Sequence, residues 1–222
     1  MPAYTLDKSD TVIAPNGATL YRIQYANGTR GGYLESTANL DPKSNAQVCG
    51  NAQVYGDAWV YGNARVSGNA RVSGNARVSG NARVSGNARV YGDALVSGNA
   101  QVYGDARVYG NALVSGNALV SGNARVYGDA QVYGDARVYG NALVSAPEHC
   151  FTAGPLGPRT ATLTVCRDRI FGVSYATGCF FGSRDAFVAA VEATHGNTPL
   201  GNAYAAAVLL ADHVVPAFTS ED

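Results

Sequence analysis

Asn45-Ala46-Gln47-Val48-Cys49-Gly50, Asn51-Ala52-Gln53-Val54-Tyr55-Gly56, Asp57-Ala58-Trp59-Val60-Tyr61-Gly62: a six-residue phrase, Asn/Asp-Ala-x-Val-(Tyr/Ser)-Gly, opens here. It runs without insertion or deletion to Asn141-Ala142-Leu143-Val144-Ser145-Ala146, seventeen copies in all, with Cys49 in the Tyr/Ser position of the first and Ala146 closing the last. A period this short and strict is the mark of a solenoid, in which each unit buries its apolar face by stacking on its neighbours. Ala and Val stand two apart, and residues two apart share one face of an extended strand. They therefore point inward, with x and Tyr/Ser outward. Gly followed by Asn or Asp breaks the strand, these being the residues that most readily enter the left-handed region a tight turn demands. Helix is excluded, because the apolar period is two and Gly recurs at every sixth position.

Four extended and two corner residues make one side of a coil, and three sides close a triangular prism. Eighteen residues then form one coil, and the repeat gives nearly six coils, roughly 27 Å tall at a strand spacing of ~4.8 Å. Near-identical rungs define register poorly, since a slip by a whole coil still buries every Val. The ends of the chain, Trp59 and the tyrosines must supply it.

The ends do not obey the repeat, which divides the chain into residues 1–44, 45–146 and 147–222. A solenoid exposes an unpaired edge at each end that must be covered. Residues 1–44 read as that cap, with a strand over Thr19–Tyr25, a turn at Ala26-Asn27-Gly28 and a second strand over Gly31–Glu35. Residues 147–222 read as a small α+β unit. Thr160–Cys166 and Arg169–Tyr175 form a hairpin. Ser183 caps a helix over Arg184–His195 with Phe187, Val188 and Val191 on one face, and a second helix runs from about Gly201 to Val214 with Tyr204, Val208 and Ala211 inward.

Net charge is zero, but the repeat holds eight Arg and five Asp with no Lys or Glu, leaving +3 there and −3 elsewhere. That is far from the basic excess of a binder of long nucleic acid. No apolar run approaches membrane-spanning length and no signal-peptide pattern opens the chain, which points to a cytoplasmic protein. Cys49, Cys150, Cys166 and Cys179 show no CxxC and no metal-ligand spacing, so they read as reduced, buried thiols, and neither metal nor cofactor is expected.

Sorting outward residues by the eighteen-residue coil gives three faces. One stacks Gln53, Arg71, Arg89, Arg107, Arg125 and Leu143 beside Tyr55, Ser73, Tyr91, Tyr109, Tyr127 and Ser145. Four Arg in register repel one another, and interleaved Tyr absorbs part of that by stacking and cation–π contact. Two readings stand: a solvated face whose Arg stems cover Tyr rings, or a site for an anionic, nucleotide-like small molecule, since Arg grips phosphate in a planar fork. The next face stacks Trp59, Arg77, Leu95, Leu113 and Gln131, and the adjacent leucines make Trp59, Leu95 and Leu113 the candidate subunit contact. The third carries Gln47, Arg65, Arg83, Gln101, Leu119 and Arg137. Along one corner edge Asp57, Asn75, Asp93, Asn111 and Asp129 alternate, which keeps carboxylates apart while Asn side chains ladder. A row of calcium sites would need more oxygens than one Asp per rung.

The phrase resembles the hexapeptide-repeat proteins that form left-handed parallel β-helices, whose aliphatic residue is followed four positions later by a small one, as Val48 is by Ala52. Leu20-Tyr21-Arg22-Ile23, Gly31-Gly32-Tyr33-Leu34-Glu35, Asn39-Leu40, Ala58-Trp59-Val60, Gly178-Cys179-Phe180-Phe181-Gly182, Phe187 and His195-Gly196 are similar to a group of small phage and bacterial members that carry a transferase label. The resemblance implies left-handed coils, a homotrimer and, for a phage product, action in the host cytoplasm, where sequestering a signal nucleotide would fit. It also raises acyl transfer. Acyltransferases of this kind use a histidine as general base, whereas the repeat here has none: His149, His195 and His213 all lie beyond it. His149-Cys150 is the one adjacent pair of base and nucleophile types, and sequence adjacency is poor evidence for a pair that must meet in space. The sequence therefore points to a non-catalytic trimeric β-helix that binds a ligand or serves as a scaffold, with acyl transfer and a purely structural spacer or virion component as alternatives.

Overall fold

A computed structural model describes residues 4–218. Strands β1 (Tyr4–Ile13), β2 (Thr19–Tyr25) and β3 (Arg30–Leu34) form an antiparallel meander, and β3 then pairs in parallel with the repeat, Tyr33 opposite Gln53 and Leu34 opposite Val54. The repeat supplies seventeen two-residue strands, β4–β20, from Gln47–Val48 to Leu143–Val144. They sort into three parallel sheets in which each strand pairs with those eighteen residues before and after it. This is a β-solenoid of about six turns, and all three walls carry the residues expected of them.

Its physics is visible rung by rung. Ala52 through Ala130 and Val48 through Val126 are sealed from solvent at almost every copy, forming one continuous core. Between coils, the N–H of x donates to the Ala carbonyl one coil on, and the N–H after Val to the Val carbonyl, as Arg89 does to Ala106 and Tyr91 to Val108, at 2.9 and 3.0 Å. The regular ladder is shorter than expected, two residues per side, because the turn begins right after Val. The left-handed residue is always Gly, with φ between 61° and 73° at corners 50 to 140; no Asn or Asp of the repeat has positive φ. Asn instead bonds sideways: Asn45, Asn63, Asn81, Asn99 and Asn117 each donate through Nδ2 to the Oδ1 one coil below, a ladder ending on Asp135. Asn75 donates to Asp93 and Asn111 to Asp129 in the same way. An Asp can stand in the column wherever the residue above is a donor, which accounts for the alternation.

Both edges are covered. At the top, the Tyr25 hydroxyl takes up both backbone groups of Val48, and Asn39 Nδ2 donates to the carbonyls of Gly56 and Ala58, at 2.8 and 2.9 Å. Arg22 Nη1 donates to the Gly50 carbonyl at 3.0 Å, and Asp10 pairs with both Arg22 and Arg30. At the bottom, the antiparallel sheet of β21 (Cys150–Leu156), β22 (Ala161–Asp168), β23 (Gly172–Thr177) and β24 (Phe180–Ser183) takes over. Strand β22 alternates cleanly: Cys166 joins the solenoid core, while Leu163 and Val165 join a second core with Phe187, Tyr204 and Val208 of α1 (Arg184–His195) and α2 (Pro199–Val214). Arg184 clamps the Asp212 carboxylate through Nε and Nη2 at 2.7–2.9 Å, tying α1 to α2.

The cysteines differ from expectation. Cys150 and Cys166 stand directly opposite on β21 and β22, with Cα atoms 4.2 Å apart, and are joined as a disulfide; only Cys49 and Cys179 are free. The reason is cross-strand register, which brings residues sixteen apart into the close pair of an antiparallel ladder. Support for a cytoplasmic site from reduced thiols is thereby lost at this pair. No helix among the described residues is long and apolar enough to cross a membrane.

Candidate functional site

The first wall assembles the expected column. Arg71, Arg89, Arg107 and Arg125 are consecutive ladder partners, flanked above by Gln53 and below by Leu143. Among the described residues none of the four has an ion pair, although Arg22, Arg30 and Arg184 elsewhere all do. Beside them Tyr91, Tyr109 and Tyr127 form a continuous stack, centroids 4.8 and 5.1 Å apart and planes within 8°. The cation–π contact expected here is not made: the rings face one another, and the close guanidinium–ring pairs are Arg22 with Tyr33 and Arg167 with Phe218. Parallel register fixes equivalent atoms one rung apart, so ring meets ring while each guanidinium projects outward. Burial in the stack pushes the Tyr109 phenol up, with further upward push from Tyr91 and Tyr127 against the opposing pull of Arg125 and Arg107.

This geometry narrows what the column can hold. A planar group cannot enter between stacked tyrosines without spreading the coils that hold them. The stack is broken at one rung, where Ser73 replaces Tyr, leaving the upper face of Tyr91 without a ring neighbour in the column. One rung higher stands Tyr55, buried among Ala14, Leu20 and Tyr33. Arg71 and Arg89 flank that gap.

On the second wall Leu95 and Leu113 are ladder neighbours and half-exposed. Trp59 is not contiguous with them, because Arg77 occupies the rung between. Its indole stacks on Tyr61 at 4.1 Å instead. The candidate contact therefore reduces to the leucine pair, with Trp59 and Tyr61 as a separate aromatic patch.

The histidines are placed as well. His149 lies with Nδ1 3.0 Å from Ser145 Oγ and Nε2 3.4 Å from Arg167. Its neighbour Cys150 is committed to the disulfide, so the two do not form a thiol–imidazole pair. His213 Nδ1 contacts the Leu209 carbonyl at 2.7 Å, within its own helix. His195 ends α1 as expected, but its ring stacks on Tyr204 at 5.8 Å and lines a cavity that the sequence did not disclose. That cavity, about 520 Å³, is walled by β21–β24 turns and both helices. Its residues come from four separate stretches of chain, so only the fold brings them together.

Residues 46–146 match the family model of the YdcK beta solenoid repeat in thirteen overlapping segments, from 46–62 through 130–146. The match covers the repeat and neither end unit, and it describes a repeat architecture rather than an activity. A comparison of the chain with curated proteins finds no match.

Proposed function

We propose that the protein is a non-catalytic, self-associating β-solenoid scaffold that binds an anionic, nucleotide-like small molecule on its arginine–tyrosine wall. The observation that carries this is the column itself: four guanidiniums on consecutive rungs with no carboxylate to meet them. Like charges held about 4.8 Å apart repel, and an external anion spanning two rungs relieves that repulsion while accepting bidentate hydrogen bonds. The aromatic part of such a ligand would stack over Tyr91 at the Ser73 rung, where arginines stand on both adjoining rungs; the other end of the stack, below Tyr127, faces Ser145 beside the uncharged Leu143. Phosphate groups would then lie against Arg71 and Arg89.

Two changes test the reading separately. Arg71→Glu with Arg89→Glu reverses the charge beside the Ser73 gap, and binding of ATP or cyclic dinucleotides, taken as probes, is expected to weaken at least about 100-fold, two charge-assisted contacts at ~1.5–3 kcal/mol each. Ser73→Tyr continues the stack without touching charge, and is expected to weaken aromatic nucleotides but not inorganic polyphosphate. Calorimetry showing equal nucleotide affinity in all three proteins would sink the proposal, and a wild-type protein that binds neither probe would favour the spacer reading.

Self-association is proposed through the wall of Leu95 and Leu113. Its ten outward positions from Trp59 to Tyr133 carry a single charge, Arg77, against four Arg on the ligand wall. Replacing both leucines by Arg should convert a trimer to monomers by light scattering, with the circular dichroism of the solenoid retained. Should the wild type already run as a monomer, this part fails while the ligand site stands.

A further inference from the structure

The C-terminal unit carries an open cavity of about 520 Å³ whose chemistry is unlike that of the solenoid walls. Leu156, Phe180, Phe187, Val191 and Leu200 make its body apolar, and Tyr204 backs it. Among the described residues no Asp or Glu lines it. Its wall carries one guanidinium, Arg159 in the β21–β22 turn, and one imidazole, His195 at the end of α1. Arg159 is exposed and has no ion pair among the described residues, where its one polar link is through its own carbonyl, which accepts from Thr160 Oγ1. An open apolar cavity of this size with a guanidinium on its wall and no anion among the described residues of its lining fits an amphiphile whose one polar end is negative.

We infer that this cavity binds a carboxylate with an aliphatic body, its chain against Phe180, Phe187 and Leu200 and its carboxylate on Arg159. Arg159 supplies a planar fork that matches a carboxylate. The cavity is also mechanically tied to the solenoid: Arg137 Nη1 of the last coil donates to the Gly178 carbonyl, part of the cavity wall, at 2.8 Å. This site shares no residue with the arginine column, so either can fail without the other.

The chain contains its own reporter. Cys179 lines the cavity and is an exposed free thiol, while Cys49, the second free thiol, sits on the first coil at the other end of the solenoid. Dodecanoate, kept below its micelle concentration, is titrated into the full-length, disulfide-intact protein, and N-ethylmaleimide labelling of each cysteine is followed by mass spectrometry. Dodecanoate is expected to slow Cys179 several-fold and leave Cys49 unchanged. Dodecan-1-ol should need about tenfold more for the same protection, as should dodecanoate with Arg159→Ala, the loss of one charge-assisted contact. Arg159→Lys should recover part of it. Ala190→Trp, which fills the chamber, should abolish protection, with an unaltered Cys49 rate reporting that the solenoid is intact. The inference is overturned by unprotected Cys179, by equal protection from the alcohol, by protection that survives Arg159→Ala, or by parallel slowing of Cys49.

Discussion

Gly98→Ala is expected to destabilise the solenoid by about 3 kcal/mol or more, and Gly134→Ala by only about 1–2 kcal/mol, although the two glycines have the same backbone conformation. Both hold φ at 66°. A Cβ in that region costs about 1–2 kcal/mol wherever it occurs, through its approach to the following carbonyl. The surroundings differ. A Cβ on Gly98 would lie 2.9 Å from both N and O of Gly116 in the next coil, whereas one on Gly134 meets nothing within 4 Å. The corner glycines therefore do two separate jobs, and at interior corners such as Gly98 the second applies: the stacked turns leave no room for a methyl group. Relieving the clash means spreading two coils apart at one corner, an overpacking cost of about 1–3 kcal/mol that adds to the dihedral cost. Paired urea denaturation of the two variants reads the difference. Equal losses would mean that the corners can spread freely and that Gly is required for its dihedral alone.

Which parts of this were legible in the chain follows from how far apart the deciding residues lie. The walls were legible because the information repeats: Val and Ala two apart give the inward face, and a strict sixfold count places Arg71, Arg89, Arg107 and Arg125 in one column. Helix α1 was legible from its cap and its end, Ser183 Oγ accepting the Ala186 N–H and Gly196 closing it. The second helix begins two residues earlier than expected, because Thr198 is its N-cap and Pro199 occupies the first turn. Strand β1 was missed because Asp7, Lys8, Ser9 and Asp10 interrupt any alternation, and the structure has a bulge there. Strand β21 was missed behind Gly154-Pro155, residues that argue against a strand. The Tyr–Tyr stack, the Cys150–Cys166 pair and the apolar cavity depend on which atoms face one another across chains of contacts. A list of outward residues names the tyrosines and arginines but not whether ring will meet ring or cation.

Tyr25→Phe is expected to cost about 2 kcal/mol and to open the first coil selectively, which follows from the unfinished edge of the third wall. Strand β4 is the last of its sheet, with β7 (Arg65–Val66) below and no strand above. Everywhere lower in the wall, a Val carbonyl accepts an N–H from the coil above, as Val66 does from Cys49 at 2.8 Å. Val48 has no such coil. The Tyr25 hydroxyl replaces it, accepting the Val48 N–H at 2.8 Å and donating to the Val48 carbonyl at 3.1 Å. Removing that oxygen strands two backbone groups in a half-buried edge, at roughly 1–3 kcal/mol each before water enters, and leaves an edge able to pair with another chain. Faster exchange of the Val48 amide with an unchanged Val84 amide is the expected signature. The same hydroxyl makes the cap sensitive to alkali. Burial pushes Tyr25 up to about 12, with opposing influence from its bond to Val48, and burial with the charge of Asp41 does the same for Tyr4. A phenol raised in the folded state stabilises fully below its ordinary value of about 10, and that contribution is lost as pH climbs through 12. Wild-type stability to urea should therefore fall between pH 10 and 12, and fall less steeply in Tyr25→Phe, where one of the raised phenols is gone. An unchanged slope, or a Val48 amide that exchanges no faster, would show that the edge is closed by something other than this side chain.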